Sequence, residues 1–531
     1  MRRLGGSVAG AAGTIAILTL LARLVGFVRT WAQNGALGDT LAGEAYSTAN
    51  TVPNVLFEVA AGGALAGAVI PLVSGFLAKG MREDVDRTAS ALVTWILAVG
   101  LPLAGIVVVT AGPVTRALLG SDTDPAELAL AETLLRMFAL QVPLYGLSVV
   151  LTGVLQAHKR FLLPAVAPML SSVTVIGGFA VFGHLASGRQ NDPAGLSPAS
   201  VLWLGWGTTF GVVAFALPQL IPVLKLVRLR PRFAFPPGVA RRALGLVGAG
   251  LGGLAAQQVQ IVVVMVVANA RGGTGAFPVY TFANAVYMVP YAVLAVPIAT
   301  AVFPRLSEAA ALPGRPGLTE LTARSTRLVL DIGMICIALL AVLAVPARIV
   351  FDVLRPAVGM DTAMVAMAPG LAGYALIYHG SRVLYAVEAS RAVVAVNTLA
   401  WLSASACLGV FAASGVEGRR ETLIAVGVSV SVGMTVGAAG QLLAIRRAVG
   451  GRATEGVLRS IAFVGGTTLA CGALAWLVAR GVLGLLGEGL AGALVALVLA
   501  GGIVLAGGAA AILAADRSAL RMRGGPPPMI G

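Results

Sequence analysis

The chain has 531 residues, of which 58% are hydrophobic and 11% charged. Soluble domains carry roughly a quarter charged residues, so no stretch here is polar enough to form a separate soluble domain. The formal charge of +15 is spread over short loops between apolar runs, which argues against nucleic acid as a partner.

A helix crossing ~30 Å of hydrocarbon needs ~20 mostly apolar residues. Reading the chain at that length predicts about fourteen spans, at 13–36, 46–78, 89–111, 128–156, 161–183, 200–224, 243–269, 278–303, 328–346, 364–387, 392–414, 423–445, 460–479 and 489–514. The runs are continuously apolar rather than alternating, which predicts helices and not a barrel. Arg2 and Arg3 lead into an apolar stretch with no clear cleavage pattern, so that stretch reads as the first helix. Cys336, Cys407 and Cys471 all fall inside apolar runs and read as membrane-core packing residues, with no disulfide framework or metal-ligand spacing.

Lys and Arg concentrate on the cytoplasmic side of a multi-pass protein. With both termini placed inside, the cytoplasmic loops and tails hold 25 basic residues and the opposite side holds 8. The richest loop, with Lys225, Arg228, Arg230, Arg232, Arg241 and Arg242, lies between spans 6 and 7.

An internal repeat accompanies this topology. Ala66-Gly-Ala-Val-Ile-Pro-Leu-Val-Ser74 recurs as Ala299-Thr-Ala-Val-Phe-Pro-Arg-Leu-Ser307, and Ala49-Asn-Thr-Val52 recurs as Ala283-Asn-Ala-Val286. A weaker echo links Val154-Leu-Gln-Ala157 with Val383-Leu-Tyr-Ala386. Each repeat holds an even number of spans, so the halves share one orientation, a parallel repeat as in several transporter folds. The expected organisation is an all-α membrane protein with a six-helix lobe over 1–235, a second over 236–448, and two further helices with a basic tail over 449–531.

An ionisable side chain at a span centre costs ~2.5–3.5 kcal/mol on insertion scales. Arg23 and Arg29 lie in span 1, ~9 Å apart along its axis. Glu58 lies in span 2 at a depth similar to that of Arg23, so a pair is geometrically allowed; it either staples the two helices or lines a cavity. Arg29 has no acid at its own depth, although Glu44 near the mouth is within reach. An unpaired guanidinium facing a cavity suits phosphate or pyrophosphate; the competing reading is snorkelling to the interface. In the second half Asn284 and Arg382 are the matching polar intrusions, with Tyr374, Tyr378 and His379 beside Arg382. The same two readings stand for Arg382, and His379 reads as a packing residue. Gln257, Gln258 and Gln260 form a polar patch suited to interhelical hydrogen bonds. No carboxylate pair, Walker-type Gly-Lys-Ser/Thr or other catalytic arrangement is present, so neither enzymatic activity nor a cofactor is expected.

Ala22-Arg23-Leu-Val-Gly-Phe-Val-Arg29 resembles the first-helix signature of the MurJ/MviN family, the proposed lipid II flippases. Pro53-Asn54-Val-Leu56, Gly63-Ala64 and Val69-Ile-Pro-Leu72 resemble that family's second helix. Leu155-Gln-Ala-His-Lys-Arg-Phe-Leu-Leu-Pro-Ala-Val-Ala-Pro168 is similar to its helix 4–5 junction, and Ala299–Ser307 to the end of its helix 8. The resemblance runs from about residue 13 to 450. It implies a member of the multidrug/oligosaccharidyl-lipid/polysaccharide exporter group whose lobes alternate access to move a polyprenyl-pyrophosphate-linked sugar outward. In the family, arginines of helices 1, 2 and 8 line the cavity. Arg23 and Arg29 are present here, and Glu44 stands where the family has an acid. The chain departs at Phe57 and Ala285, which stand at the helix 2 and helix 8 arginine positions, and at Gly62, which replaces an acid. Val264 stands at the sodium-site acid of some members, so sodium coupling is not implied.

The substrate-binding candidates are Arg23, Arg29, Glu44, Asn54, Glu58, Asn284 and Arg382. The leading expectation is a flippase for a lipid-linked saccharide, lipid II foremost, acting as a monomer in the bacterial cytoplasmic membrane among membrane lipids and cell-wall synthesis proteins. The alternatives are an exporter of another lipid-linked polysaccharide or a small molecule, or a non-transporting scaffold.

Overall fold

The computed structural model describes residue 18 and residues 21–59, 63–120 and 122–515. The tail with Arg2 and Arg3, the Gly62 position and the basic tail with Arg517, Arg521 and Arg523 lie outside the described residues. Among the described residues all regular structure is helical.

The chain divides after Phe282 into two compact units. The first contains α1 (21–36), α2 (Leu41–Phe57), α3 (Gly63–Ala78), α4 (Arg82–Leu119), α5 (Pro125–Phe138), α6 (Gln141–Ala157), α7 (Leu162–Ala186), α8 (Pro198–Leu226) and α9 (Val239–Arg271). Helix α10 (Ala276–Pro290) runs across the division. The second unit continues with α11 (Val296–Ala311), α12 (Leu318–Asp352), α13 (Met360–Met367), α14 (Gly370–Ala386), α15 (Ser390–Ala413) and α16 (Arg419–Val449). It ends with a single turn, α17 (Val457–Ser460), and two long helices, α18 (Gly466–Leu486) and α19 (Leu490–Ala515).

Among the described residues 11 helices are long and apolar enough to cross a membrane, or up to 12 if the bent pair α13 and α14 is one span. Each of the last twelve predicted spans falls on one of these. The first two predicted spans run through residues outside the described set. The chain is a polytopic, all-helical membrane protein.

The duplication seen in sequence recurs element by element. The pair α2 and α3 is followed by long α4, as the pair α10 and α11 is followed by long α12. In the second pair the break is a wide π turn at Tyr291–Ala295, and after α2 residues 58–59 are likewise π-helical. Prolines stand beside these breaks, Pro53 within α2 and Pro290 directly before the second; proline lacks the N–H that continues the ladder. The broken pair α5 and α6 is likewise matched by α13 and α14. Helix α9, which sequence reading assigns to a second lobe over 236–448, packs on α3 and α4 in the first unit.

Small residues let the helices approach closely, as membrane interiors require. A Cβ on Gly207 of α8 would lie 2.9 Å from the Gly178 Cα of α7. In the second unit a Cβ on Gly333 of α12 would lie 2.6 Å from the Ala372 Cα of α14. Outward faces carry large apolar side chains, with Val99, Leu101, Ile106 and Val109 exposed along α4. That is the arrangement of a helix facing lipid. The three cysteines are free thiols, Cys336 being buried.

Candidate functional site

Helix α2 starts at Thr40, whose hydroxyl accepts the Gly43 N–H at 3.2 Å. Glu44 follows in the first turn, where the helix dipole favours an acid. It is 5% exposed and accepts the backbone N–H of Gly275. Gly275 has φ +85, and a Cβ there would lie 2.3 Å from the Asp39 carbonyl oxygen, so only glycine brings the loop before α10 this close to α2. A second buried acid, Glu127 on α5, has a carboxylate oxygen without a hydrogen-bond partner. Sequence reading placed it outside its fourth span and did not single it out.

Deeper in the same unit, a cavity of about 380 Å³ is lined by side chains of α2, α3, α6 and α8. Asn54 and Phe57 enter it from α2 and Glu58 from directly after it, and Tyr145, Ser148, Thr152 and Gln156 from α6. The α6 residues recur at steps of three and four, one face of a helix. This polar stripe inside an apolar run was the signal that reading by hydropathy alone passed over. Thr152 is fixed by donating to Gln219 Oε1 at 2.8 Å, and Asn54 donates to the Asn50 carbonyl at 2.7 Å.

Arg23 and Arg29 are both exposed on α1. Neither of them is among the residues that line the cavity. No ion pair joins Arg23 to Glu58, so the pairing that depth allowed is not made. Glu58 instead faces the cavity. Equal depth brings two side chains together only if the helices also turn the right faces to each other, and depth was all the sequence supplied.

In the second unit Asn284 is half-buried on α10. Arg382 on α14 is half-buried, donates to the Tyr378 hydroxyl, and lies over the Tyr378 ring at 4.5 Å and the Phe303 ring at 5.4 Å. It is thus held among aromatic rings by cation–π contact. His379 is fully buried, its Nε2 within hydrogen-bond distance of the Ser325 and Thr326 hydroxyls at 3.2 and 3.4 Å, the packing role expected of it. Tyr374 and Tyr378 join an aromatic cluster with Tyr291 and Trp401, which the sequence did not single out: Tyr374 meets Tyr291 at 4.7 Å and Trp401 at 6.1 Å, and Tyr291 meets Tyr378 at 5.9 Å.

The family model described as "Lipid II flippase MurJ" matches residues 34–489. The chain belongs to the MurJ family. Among curated relatives, the probable lipid II flippase MurJ of Synechocystis sp. is 32% identical over 44% of each chain. The lipid II flippase MurJ of Burkholderia cenocepacia is 29% identical over 56% of each chain. The chain thus aligns with about half the length of these relatives. A solved lipid II flippase MurJ in an inward closed conformation superposes with a TM-score of 0.72, covering 94% of this chain and 98% of that one at 16% identity. An inward-facing multidrug MATE transporter superposes with a TM-score of 0.65, covering 82% and 99% at 14% identity. The fold is that of a MurJ- and MATE-like transporter.

Among the described residues that line the first-unit cavity there is no Lys or Arg. The Phe57 ring stacks obliquely on Tyr145 at 4.8 Å in its wall. In the second unit Ala285 is half-buried beside Asn284.

Proposed function

We propose that this chain is a flippase that moves lipid II from the inner to the outer leaflet of a bacterial cytoplasmic membrane by alternating access of its two halves. The MurJ family match over residues 34–489 carries the reading. In this proposal Arg29, with Arg23 on the same helix, takes the pyrophosphate. A guanidinium with no carboxylate partner among the described residues offers the bidentate donors that phosphate oxygens accept. Asn54 and Glu58 line the cavity between α2, α3, α6 and α8 as polar contacts for the headgroup. Glu44, tied to Gly275, is a latch at the outer mouth, and Asn284 and Arg382 are the second-half contacts. The protein works as a monomer, and enzymatic chemistry is no part of the cycle. The deciding experiment is complementation of a MurJ-depleted bacterium by this chain. Growth, with newly made lipid II reaching the outer leaflet, is the expected result. Lipid II confined to the inner leaflet despite normal membrane levels of the protein would overturn the reading.

The Phe57–Tyr145 contact favours a second reading on the same fold, a flippase for a different polyprenyl-linked saccharide. Reconstituted vesicles offered lipid II and an undecaprenyl-pyrophosphate oligosaccharide in competition distinguish the two by which one is moved.

A further inference from the structure

The segment following α8 has a feature that none of the transport machinery uses. Residues 227–233 run extended along α4 and bond to it at every second residue. The N–H of Arg228 donates to Asp86 Oδ1 at 3.1 Å, that of Arg230 to the Ser90 hydroxyl at 3.1 Å, and that of Arg232 to the Thr94 hydroxyl at 3.0 Å. Ser90 also donates to the Arg228 carbonyl at 3.3 Å, and the Trp95 indole N–H closes the row by donating to the Phe233 carbonyl at 2.9 Å. The spacing explains the regularity. Two residues of extended chain advance ~6.6 Å, and four residues of helix rise ~6.0 Å, so residues 86, 90 and 94 present acceptors at the pitch of the strap.

This register fixes where the side chains go. Val227 and Leu229 pack into the apolar cluster around Val85 and Ala89. Arg228, Arg230 and Arg232 are exposed, and none of them is held by a carboxylate among the described residues. With Arg87 they line a surface cavity of about 420 Å³, four guanidinium groups against the two carboxylates of Glu83 and Asp86. Glu83 already pairs with Arg87, and Asp86 is engaged by the strap backbone. Beside the arginines, Trp95 and Phe233 meet edge to face at 5.4 Å and remain 45% and 58% exposed. The outward face of α4 continues from Trp95 to exposed Val99 and Ile106. The arginine row therefore stands where a lipid-facing helix surface meets an aromatic pair of the kind that marks the headgroup level, on the side that the Lys/Arg bias assigns to the cytoplasm.

We propose that the 227–233 strap is a docking site for the phosphate headgroups of anionic phospholipids, with Arg228, Arg230 and Arg232 as anion contacts and Trp95 with Phe233 as interfacial anchor. A soluble polyanion would share the phosphate chemistry, but it would not call for an aromatic pair and a continuous apolar face beside the cations.

The test is lipid binding to the purified full-length protein by native mass spectrometry, with phosphatidylglycerol and phosphatidylcholine as probes and inorganic phosphate as competitor. Wild type binds phosphatidylglycerol at least roughly tenfold tighter than phosphatidylcholine. The R228Q/R230Q/R232Q variant loses roughly a hundredfold in phosphatidylglycerol affinity, at about fivefold per basic residue near a surface, while the corresponding triple lysine variant retains most of it. Removing Arg446, Arg447 and Arg452 from the same side costs much less. An equal loss in that control, or displacement of the lipid by millimolar phosphate, overturns the proposal. If the glutamine variant cannot be purified as a folded species, hydrogen exchange at residues 228–232 decides instead. Greater protection in phosphatidylglycerol than in phosphatidylcholine nanodiscs supports the site, and equal protection rejects it.

Discussion

Glu44 and Gly275 lie 231 residues apart in the chain and meet through one hydrogen bond. Removing the acceptor leaves a buried N–H unsatisfied at a cost of about 1–3 kcal/mol. Gly275→Ala adds a side chain at φ +85 within 2.3 Å of a carbonyl oxygen and costs at least about 2 kcal/mol. Thermal melting of the purified variants should show a drop for Glu44→Ala and a larger one for Gly275→Ala; an unchanged Gly275→Ala melt would mean the loop is not held as described. Arg29 gives a functional prediction at the same scale. Arg29→Ala should lower lipid II transport roughly tenfold or more, the weight of charge-assisted hydrogen bonds, with Arg29→Lys in between because an ammonium cannot bind in a bidentate way. Equal transport by wild type and Arg29→Ala would remove Arg29 from the substrate path. Residue-scale features were only partly legible in the sequence. Arg29 was visible because a cation in an apolar run is costly and conspicuous. Tyr145, Ser148, Thr152 and Gln156 were not, because hydroxyl and amide side chains scarcely lower the mean hydropathy of their span.

Among elements, the close pair α7 and α8 depends on Gly178 and Gly207 facing each other. Gly207→Leu puts a branched side chain where a Cβ alone would lie 2.9 Å from the facing backbone. Overpacking of this kind costs about 1–3 kcal/mol. The expected outcome is a lower melting temperature and a poorer yield of folded protein, whereas Gly177→Leu, next to Gly178 but facing open space, should be tolerated. Similar losses in both would show that the close approach is not specific to the Gly207 face. The paired π turns belong to this scale too. Short matches such as Ala49–Val52 with Ala283–Val286 signalled a repeat in the sequence, but not the π geometry at 58–59 and at Tyr291–Ala295. Proline marks a weak point in a helix ladder without stating whether the helix kinks, widens or ends.

At the scale of the whole molecule, topology follows from charge asymmetry and can be checked directly. In a background with Cys336, Cys407 and Cys471 replaced by serine, Ser187→Cys after α7 should react with a membrane-impermeant maleimide in intact cells. Ala234→Cys after α8 should react only once the cells are opened. The reverse pattern would invert the orientation derived from 25 basic residues against 8.

By itself the sequence determined that the chain is a helical membrane protein, where its last twelve spans lie, that short segments of it recur, and which family it belongs to. Each of these is a linear property: local hydropathy along one helix, similarity between two segments, charge summed over loops. What the tertiary structure decided is which faces meet. It left Arg23 and Glu58 apart, opened a cavity between α2, α3, α6 and α8, placed α9 against α3, and laid the 227–233 strap along α4. A helix buried in lipid and protein is apolar on nearly every side, so it carries no amphipathic direction from which its rotation can be read. That rotation is set by interlocking small residues and a few long-range hydrogen bonds, which exist only once the helices have packed.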